Sequence, residues 1–204
     1  MIATAPRRKP SSAASNRAER ESGKWRSTND IPARIVAACQ RGDRAAQREL
    51  YELCSPKMFR LAVRMVGIQE ATDVTQQVFL QVYRSIGQFS DRSRFETWLY
   101  RLAINECLQF RRRAMRRPFE PVEVEPADHR AGPTARVQDR ELLELALQRL
   151  DAELRSLFLL RELEGLAYRE LAEVLEISEG TVASRLNRAR SQLKENLLEL
   201  GWQP

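Results

Sequence analysis

The sequence has few of the residues that build metal sites and disulfide frameworks. Its 204 residues include three cysteines and a single histidine, His129. Cys39, Cys54 and Cys107 lie far apart and form no CxxC pair, so their spacing favours neither a zinc site nor a set of disulfides. We expect reduced thiols, no metal and no cofactor.

Long apolar runs are also absent. No run approaches the roughly 18 to 20 residues that a helix needs to cross a bilayer, and the N-terminus lacks the apolar core of a signal peptide. We therefore expect no membrane insertion and a cytoplasmic location. A hydrophobic content of 43% is enough for a real core, and the length favours two small domains. The net charge of +6 is a weak indication of a polyanionic partner.

The first 30 residues mix Arg, Lys, Ser, Ala and Pro with almost no large apolar side chains. Burial in such a segment cannot offset the entropy lost on ordering, so residues 1–30 are predicted to be a disordered basic extension. The extension either has no specific role or adds nonspecific attraction to phosphate.

Hydrophobic periodicity predicts an all-α protein, because strand-like alternation is absent. One helical domain is predicted over 31–113, with helices near 32–40, 43–53, 56–66, 69–86 and 94–113. Residues 114–138 combine clustered prolines with the acidic side chains of Glu120, Glu123, Glu125 and Asp128, which indicates a flexible acidic linker. A second domain follows over 139–200, with helices near 141–150, 151–165, 168–175 and 177–194.

The last two helices have the features of a helix-turn-helix. Ser178 is placed as an N-cap, and Val182, Leu186, Ala189 and Leu193 form an apolar stripe on the second helix. The opposite side is polar and basic, which favours contact with a DNA major groove over the simpler alternative of a solvated surface. The predicted contacts to base edges or phosphates are Ser178, Thr181, Ser184, Arg185, Arg188 and Arg190.

Several motifs in this order resemble a known family. "LRELEGL", "ELAEVLEIS" and "GTVASRLNRAR" are similar to region 4 of the small bacterial sigma factors of the extracytoplasmic-function type. "TDVTQQVFLQVYRSIGQF" and "FETWLYRLAINECLQFRRR" resemble region 2 of the same family. The resemblance implies a protein that binds core RNA polymerase and directs it to promoters, with region 2 reading and opening the minus 10 element and region 4 reading the minus 35 element.

The resemblance also implies roles for two surfaces of the first domain. The first would dock on the clamp of the largest polymerase subunit and consists of Asp73, Gln76, Gln77 and Leu80. The second would hold a flipped minus 10 base in the loop 89–94 and read the neighbouring DNA from the following helix. Its residues are Phe89, Ser90, Arg94, Trp98, Arg101, Asn105 and Arg112. For Trp98 two interpretations stay open, packing in the core and stacking on a base.

Further partners follow from the resemblance alone. The acidic linker would thread through polymerase near the template-strand and RNA-exit channels, region 4 would meet the flap region, and an anti-sigma factor would be a candidate inhibitor. Four positions depart from the family pattern. These are Gln77 in place of glutamate, Ala167 in place of an N-cap Ser or Thr, Glu176 in a corner where Gly or Asn is frequent, and Ala183 in place of lysine.

Three other functions compete with this interpretation. A stand-alone helix-turn-helix regulator would need a ligand pocket or a dimer interface within 31–113, and the sequence indicates neither. An enzyme such as a recombinase would need an activated nucleophile or clustered carboxylates, and neither occurs at an interpretable spacing. A helical adaptor that does not bind DNA would leave the basic face of the last helix unexplained.

Overall fold

The computed structural model describes residues 31–116 and 135–202, and within these ranges the chain is helical with no strand. The prediction of an all-α fold is confirmed. The predicted extension 1–30 and most of the predicted linker lie outside the described residues. The eight α-helices of the described part are α1 (Ala33–Gln40), α2 (Arg44–Val66), α3 (Ile68–Ser85), α4 (Phe95–Arg116), α5 (Ala135–Gln148), α6 (Ala152–Glu162), α7 (Tyr168–Leu175) and α8 (Glu179–Glu199).

Helices α1 to α4 form the N-terminal group. Asp43 begins α2 as its N-cap, since its carboxylate accepts hydrogen bonds from the backbone N–H groups of Ala45 and Ala46 at 2.8 and 3.2 Å. The core face predicted for 69–86 is confirmed, because Val78, Phe79 and Val82 of α3 and Ile86 directly after it are all buried. A 3₁₀ turn, Ile86–Gln88, ends this helix and leads into the loop before α4.

Helix α2 differs from the prediction, which placed a break at Ser55 and Pro56. The structure has a single helix of 23 residues with Pro56 inside it. Proline disfavours a helix interior because it lacks an N–H and its ring crowds the preceding turn. Here the continuous helix aligns buried side chains on both sides of the proline, including Cys54 and Met58, so packing outweighs the local preference.

Helices α5 to α8 form the C-terminal group. Helix α5 begins at Ala135 and α4 continues to Arg116, so both ends of the predicted linker 114–138 are helical. Asp151 caps α6 by accepting a hydrogen bond from the Glu153 N–H at 2.9 Å. The predicted helix 168–175 is confirmed by α7, and the predicted apolar stripe of the last helix is buried, with Val182, Leu186 and Ala189 at 0% exposure.

The two groups pack against each other, a contact that the sequence does not indicate. Helix α4 contacts α6 and α7, and α2 contacts α5 and α6. Part of this interface is polar. Arg155 of α6 is only 2% exposed, and its guanidinium donates hydrogen bonds to the carbonyl oxygens of Gln148, Leu150 and, across the interface, Met65.

Candidate nucleic-acid interface

The corner before α8 consists of three consecutive residues, Glu176, Ile177 and Ser178. Glu176 ends α7 in the left-handed conformation, with φ 55° and ψ 43°, as expected for a corner where Gly or Asn is frequent. Ser178 then caps α8 by accepting a hydrogen bond from the Thr181 N–H at 3.2 Å. The predicted N-cap is confirmed, and it fixes the direction in which α8 leaves the corner.

Local hydrogen bonds hold the hydroxyl groups at the start of α8. The hydroxyls of Ser178 and Thr181 are 2.8 Å apart and share a hydrogen bond, and the Ser184 hydroxyl donates to the Thr181 carbonyl at 3.1 Å. Ser178 and Ser184 are exposed, so their oxygens can still accept a bond from outside. Their orientation is therefore set before any ligand arrives.

Two arginines of α8 pair with the two ends of α6. The Arg185 guanidinium lies 3.0 Å from the Glu153 carboxylate, and that of Arg190 lies 2.7 Å from Glu162. The hydrogen bond that the Arg190 guanidinium donates to Glu162 raises the pKa of Arg190 above its ordinary value. Arg188 is exposed between these pairs.

The predicted contact residues of α8 do not share one face. At 100° per residue, Arg190 lies about 140° around the helix axis from Arg185, on the opposite flank. Thr181, Ser184, Arg185 and Arg188 lie within about 100° of one another, and we call these four the recognition face. Asn187 is exposed beside it and was missed by the sequence analysis. Its polar amide, next to the predicted contact residues in the helical repeat, was the feature of the sequence that could have identified it.

The loop between the 3₁₀ turn and α4 lies over an aromatic cluster. Phe89, Phe95 and Trp98 have ring centroids 5.4 Å apart in each pair, and Phe89 and Trp98 are each 8% exposed. The Gln40 amide of α1 donates to the carbonyl oxygens of Ile86 and Phe89 at 3.2 and 2.8 Å, which anchors the start of the loop. Packing in the core is thus the dominant interpretation of Trp98.

A cleft of about 420 Å³, which we call the loop cleft, lies beside this cluster. Of the predicted minus 10 residues, Phe89, Ser90, Trp98 and Arg101 line it. Arg94 is exposed in the adjoining cleft of about 610 Å³. Asn105 and Arg112 are exposed farther along α4 and line neither cleft.

Arg92 and Ser93 also line the loop cleft and belong to the predicted loop 89–94. The lining residues that the sequence analysis missed are Gln88, Thr97 and Glu173. Glu173 belongs to α7 and reaches the cleft only because the two groups are in contact. No sequence pattern indicates that contact.

The predicted polymerase-docking residues lie together on the outer side of α3. Asp73, Gln76 and Gln77 are exposed, and Leu80 is 46% exposed. We call these four residues the clamp face. A leucine exposed to this extent among polar side chains is consistent with a protein-binding surface.

The thiols lie away from these surfaces. Cys39, Cys54 and Cys107 are buried and unpaired, and burial raises the pKa of Cys54 and Cys107 to about 12. Across residues 31–116 and 135–202, no group of His, Cys, Asp or Glu side chains is arranged to hold a metal ion. None of the helices described is both long and apolar enough to cross a membrane.

Two family models match the chain. The sigma-70 region 2 model matches residues 50–117, and the sigma-70 region 4 model matches residues 140–193. The first match contains the clamp face and every lining residue of the loop cleft except Glu173, and the second contains the helix-turn-helix.

Curated relatives and solved structures agree with these matches. The RNA polymerase sigma-H factor of Pseudomonas aeruginosa is 37% identical over 188 residues, which cover 85% of this chain and 97% of the relative. The ECF RNA polymerase sigma-E factor of Haemophilus influenzae is 35% identical, with 81% of this chain and 95% of the relative covered.

Among solved structures, the sigma factor RpoE of Bartonella quintana, in complex with the anti-sigma factor NepR, superposes with a TM-score of 0.58 at 25% identity. That match covers 76% of this chain and 98% of the other. CnrH, in complex with the cytosolic domain of CnrY, shares the fold with a TM-score of 0.63 at 21% identity, over 82% of this chain and 97% of the other. The chain therefore belongs to the extracytoplasmic-function family of RNA polymerase sigma factors.

Proposed function

We propose that this sigma factor divides promoter-specific initiation among its three surfaces. The clamp face docks on core RNA polymerase, the loop cleft and α4 open the minus 10 element, and the recognition face binds the minus 35 element. The observation that carries the proposal is the presence of both sigma regions, in order, on a chain whose last helix turns a polar and basic face outward.

The geometry of α8 supports its role at the minus 35 element. A helix-turn-helix places the N-terminal half of its second helix in the major groove, and the recognition face occupies that half. Ser184 and Arg185 are suited to base edges, and Arg188 is suited to a base edge or a phosphate. Arg190 lies on the other flank, where it can reach only the phosphate backbone.

The loop cleft supports strand opening. A base that leaves the stack needs a polar pocket, and its phosphate needs positive charge. The cleft supplies Ser90 and Arg101 above the aromatic floor formed by Phe89 and Trp98. Asn105 and Arg112, exposed along α4, continue this surface toward the adjacent DNA.

The assignment of segments follows from these surfaces. We assign residues 31–113 to region 2, residues 139–200 to region 4, residues 114–138 to the linker and residues 1–30 to a basic extension. The protein acts where polymerase and chromosome are, in the cytoplasm, and it contributes binding energy and no chemistry of its own. Polymerase partners are the clamp and the flap region, and an anti-sigma factor is a further partner of the kind seen with the RpoE relative.

Two substitutions separate polymerase binding from DNA binding. Arg185→Ala should weaken promoter binding by the assembled holoenzyme about tenfold, since an arginine contact to a base contributes about 1–3 kcal/mol, and should leave core binding unchanged. Asp73→Ala should weaken core binding several-fold and leave minus 35 recognition by assembled holoenzyme unchanged. Core binding is measured by fluorescence anisotropy of labelled protein, and promoter binding by titration of holoenzyme onto duplex DNA.

The matched control for the arginine is Arg34→Ala. Arg34 has a side chain that is 79% exposed and lies outside all three surfaces, so its loss should affect neither binding step. If Arg185→Ala and Asp73→Ala both leave transcription from a cognate promoter unchanged, the assignment of roles is wrong.

A further inference from the structure

Gln40, the last residue of α1, connects this helix to the start of the loop 89–94. Its amide donates one hydrogen bond to the Ile86 carbonyl at 3.2 Å and one to the Phe89 carbonyl at 2.8 Å. Both partners are acceptors, so only the NH₂ end of the amide can face them. The Phe89 N–H also donates to the Ile86 carbonyl, at 3.1 Å, and Gln40 therefore holds both ends of one turn.

The surroundings of α1 keep Gln40 in a fixed place. Cys39, directly before it, is 2% exposed, and the three backbone N–H groups that follow Gln40 all donate to the carbonyl oxygens of Ala38 or Cys39. Just before the helix, the Ile31 N–H donates to the Glu96 carboxylate of α4 at 2.9 Å. Helix α1 is thus attached both to the start of the loop and to the helix that follows the loop.

The hydrogen bond to Phe89 fixes the peptide that enters the loop. The Phe89 carbonyl and the Ser90 N–H belong to one planar trans peptide, so they point in opposite directions. With the carbonyl held by Gln40, the Ser90 N–H is turned away from α1, and it has no hydrogen-bond partner in the part of the chain that the structure describes. Ser90 lines the loop cleft, so the orientation of this peptide contributes to the shape and polarity of the cleft.

The aromatic cluster does not fix this peptide by itself. The Phe89 ring packs on Phe95 and Trp98, but the peptide can rotate about its flanking bonds while the ring stays in place. Farther along the loop, Asp91 has a φ of 54°, an uncommon conformation for a residue with a Cβ. Such strain persists only where surrounding contacts hold the backbone, and Gln40 supplies contacts of this kind at the start of the loop.

We infer that Gln40 is a positioning residue for base selection at the minus 10 element, which acts by fixing the Phe89–Ser90 peptide at the edge of the loop cleft. This inference rests on the proposed role of the loop cleft in holding a base that has left the stack. Gln40 lines the adjoining cleft and not the loop cleft, so it acts through the loop. Without its two hydrogen bonds the peptide can adopt a second orientation, and a loosened site discriminates less well between bases.

The test removes the donor and keeps the size of the side chain. Gln40→Met is nearly isosteric and cannot donate, and Gln40→Glu has the same shape but presents only acceptor oxygens to the two carbonyls. The matched control is Gln69→Met, at an exposed glutamine near the start of α3 that lines neither cleft. Each full-length protein is mixed with core polymerase lacking any sigma factor. Transcript starts are mapped on fragmented genomic DNA, and base frequencies are compared at every position of the shared upstream elements.

We expect both Gln40 variants to lower the preference for the favoured base about tenfold at one position of the minus 10 element, the size of one lost base contact. Preferences within the minus 35 element should stay unchanged, and Gln69→Met should behave as the natural protein does. A residue with only a structural role would lower the yield of all starts and leave every base preference as it was. That result, or a change of preference in only one of the two Gln40 variants, would overturn the inference.

Arg101→Ala separates the inference from the proposed role of the cleft, because Arg101 lines the loop cleft. If this variant lowers the yield of starts while the Gln40 variants keep the natural base preference, the cleft binds the strand and only the role of Gln40 is refuted. If neither Arg101→Ala nor the Gln40 variants change the starts, the role of the cleft and the inference that rests on it both fall.

Discussion

Glu176 shows how a single residue can be strained by the turn that contains it. Its φ of 55° lies in the left-handed region, where a side chain with a Cβ costs about 1–2 kcal/mol and glycine costs little. The side chain is exposed, so nothing is lost by removing it. The turn is therefore a site where the protein can be made more stable.

Replacing this residue by glycine should raise the free energy of unfolding by about 1 kcal/mol, because relief of backbone strain exceeds the added entropy of the unfolded chain. Glu176→Ala keeps the Cβ and should give no gain. Urea denaturation of the three proteins measures the difference. Equal stability of the glycine and alanine variants would show that the corner is not strained.

For single residues, the sequence predicts the features that short-range interactions determine. Ser178 as N-cap, Glu176 in the corner and Glu170 supporting the start of α7 all follow from short-range hydrogen-bonding patterns. Glu173 in the loop cleft and the burial of Arg155 do not, because both depend on partners far away in the chain. No periodicity within α6 or α7 marks which polar side chain meets the other domain.

Helix α2 is the element in which a local rule fails. Pro56 is exposed and sits inside the helix, so it removes one backbone hydrogen bond and crowds the preceding turn. The buried face on both sides of it requires a continuous helix. The sequence predicts two short helices here because the rule that proline ends a helix takes no account of packing in the core.

Pro56→Ala should raise the free energy of unfolding by about 1–3 kcal/mol, since it restores the donor without removing a packed side chain. The comparison is Pro32→Ala, because Pro32 is the N-cap of α1, where a missing N–H costs nothing. Thermal and urea unfolding, followed by the circular dichroism of the helices, measure the stability of both variants. A gain of the same size at Pro32 would mean that α2 is not strained by its proline.

The other elements follow the 3.6-residue period closely. Helices α7 and α8 and the buried face of α3 are predicted from spacing, because each buries one stripe of apolar residues. The ends of the linker are not, since α4 continues past position 113 to Arg116 and α5 begins at Ala135, before position 141. The apolar residues in these added turns are too few to form a helical period.

The whole molecule has a core that extends through both groups and contains all three thiols. Burial raises the pKa of Cys54, Cys107 and Tyr83 to about 12, and it also raises the pKa of Cys39. In the unfolded chain these thiols ionise near pH 9. The unfolded state therefore loses protons at a lower pH than the folded state does.

Stability should consequently fall as the pH rises from about 8.5 to 10, by up to about 1.4 kcal/mol per pH unit for each thiol that ionises only on unfolding. Arg155 opposes this trend only near the top of that window, because burial lowers its pKa to about 10 and the folded state begins to lose that proton there while the unfolded state keeps it. Urea midpoints measured across the window give the slope. Cys107→Ala should reduce this slope by about the contribution of one proton. A midpoint that does not change with pH would contradict the burial of these thiols.

At the level of the whole molecule, this chain directs core RNA polymerase to promoters. The measurement mixes the purified protein with core polymerase lacking any sigma factor and maps transcript starts on fragmented genomic DNA. New starts should share two upstream elements at a fixed spacing, one for each DNA-binding surface. DNA binding by the protein without any binding to core polymerase would show instead that it is a stand-alone regulator.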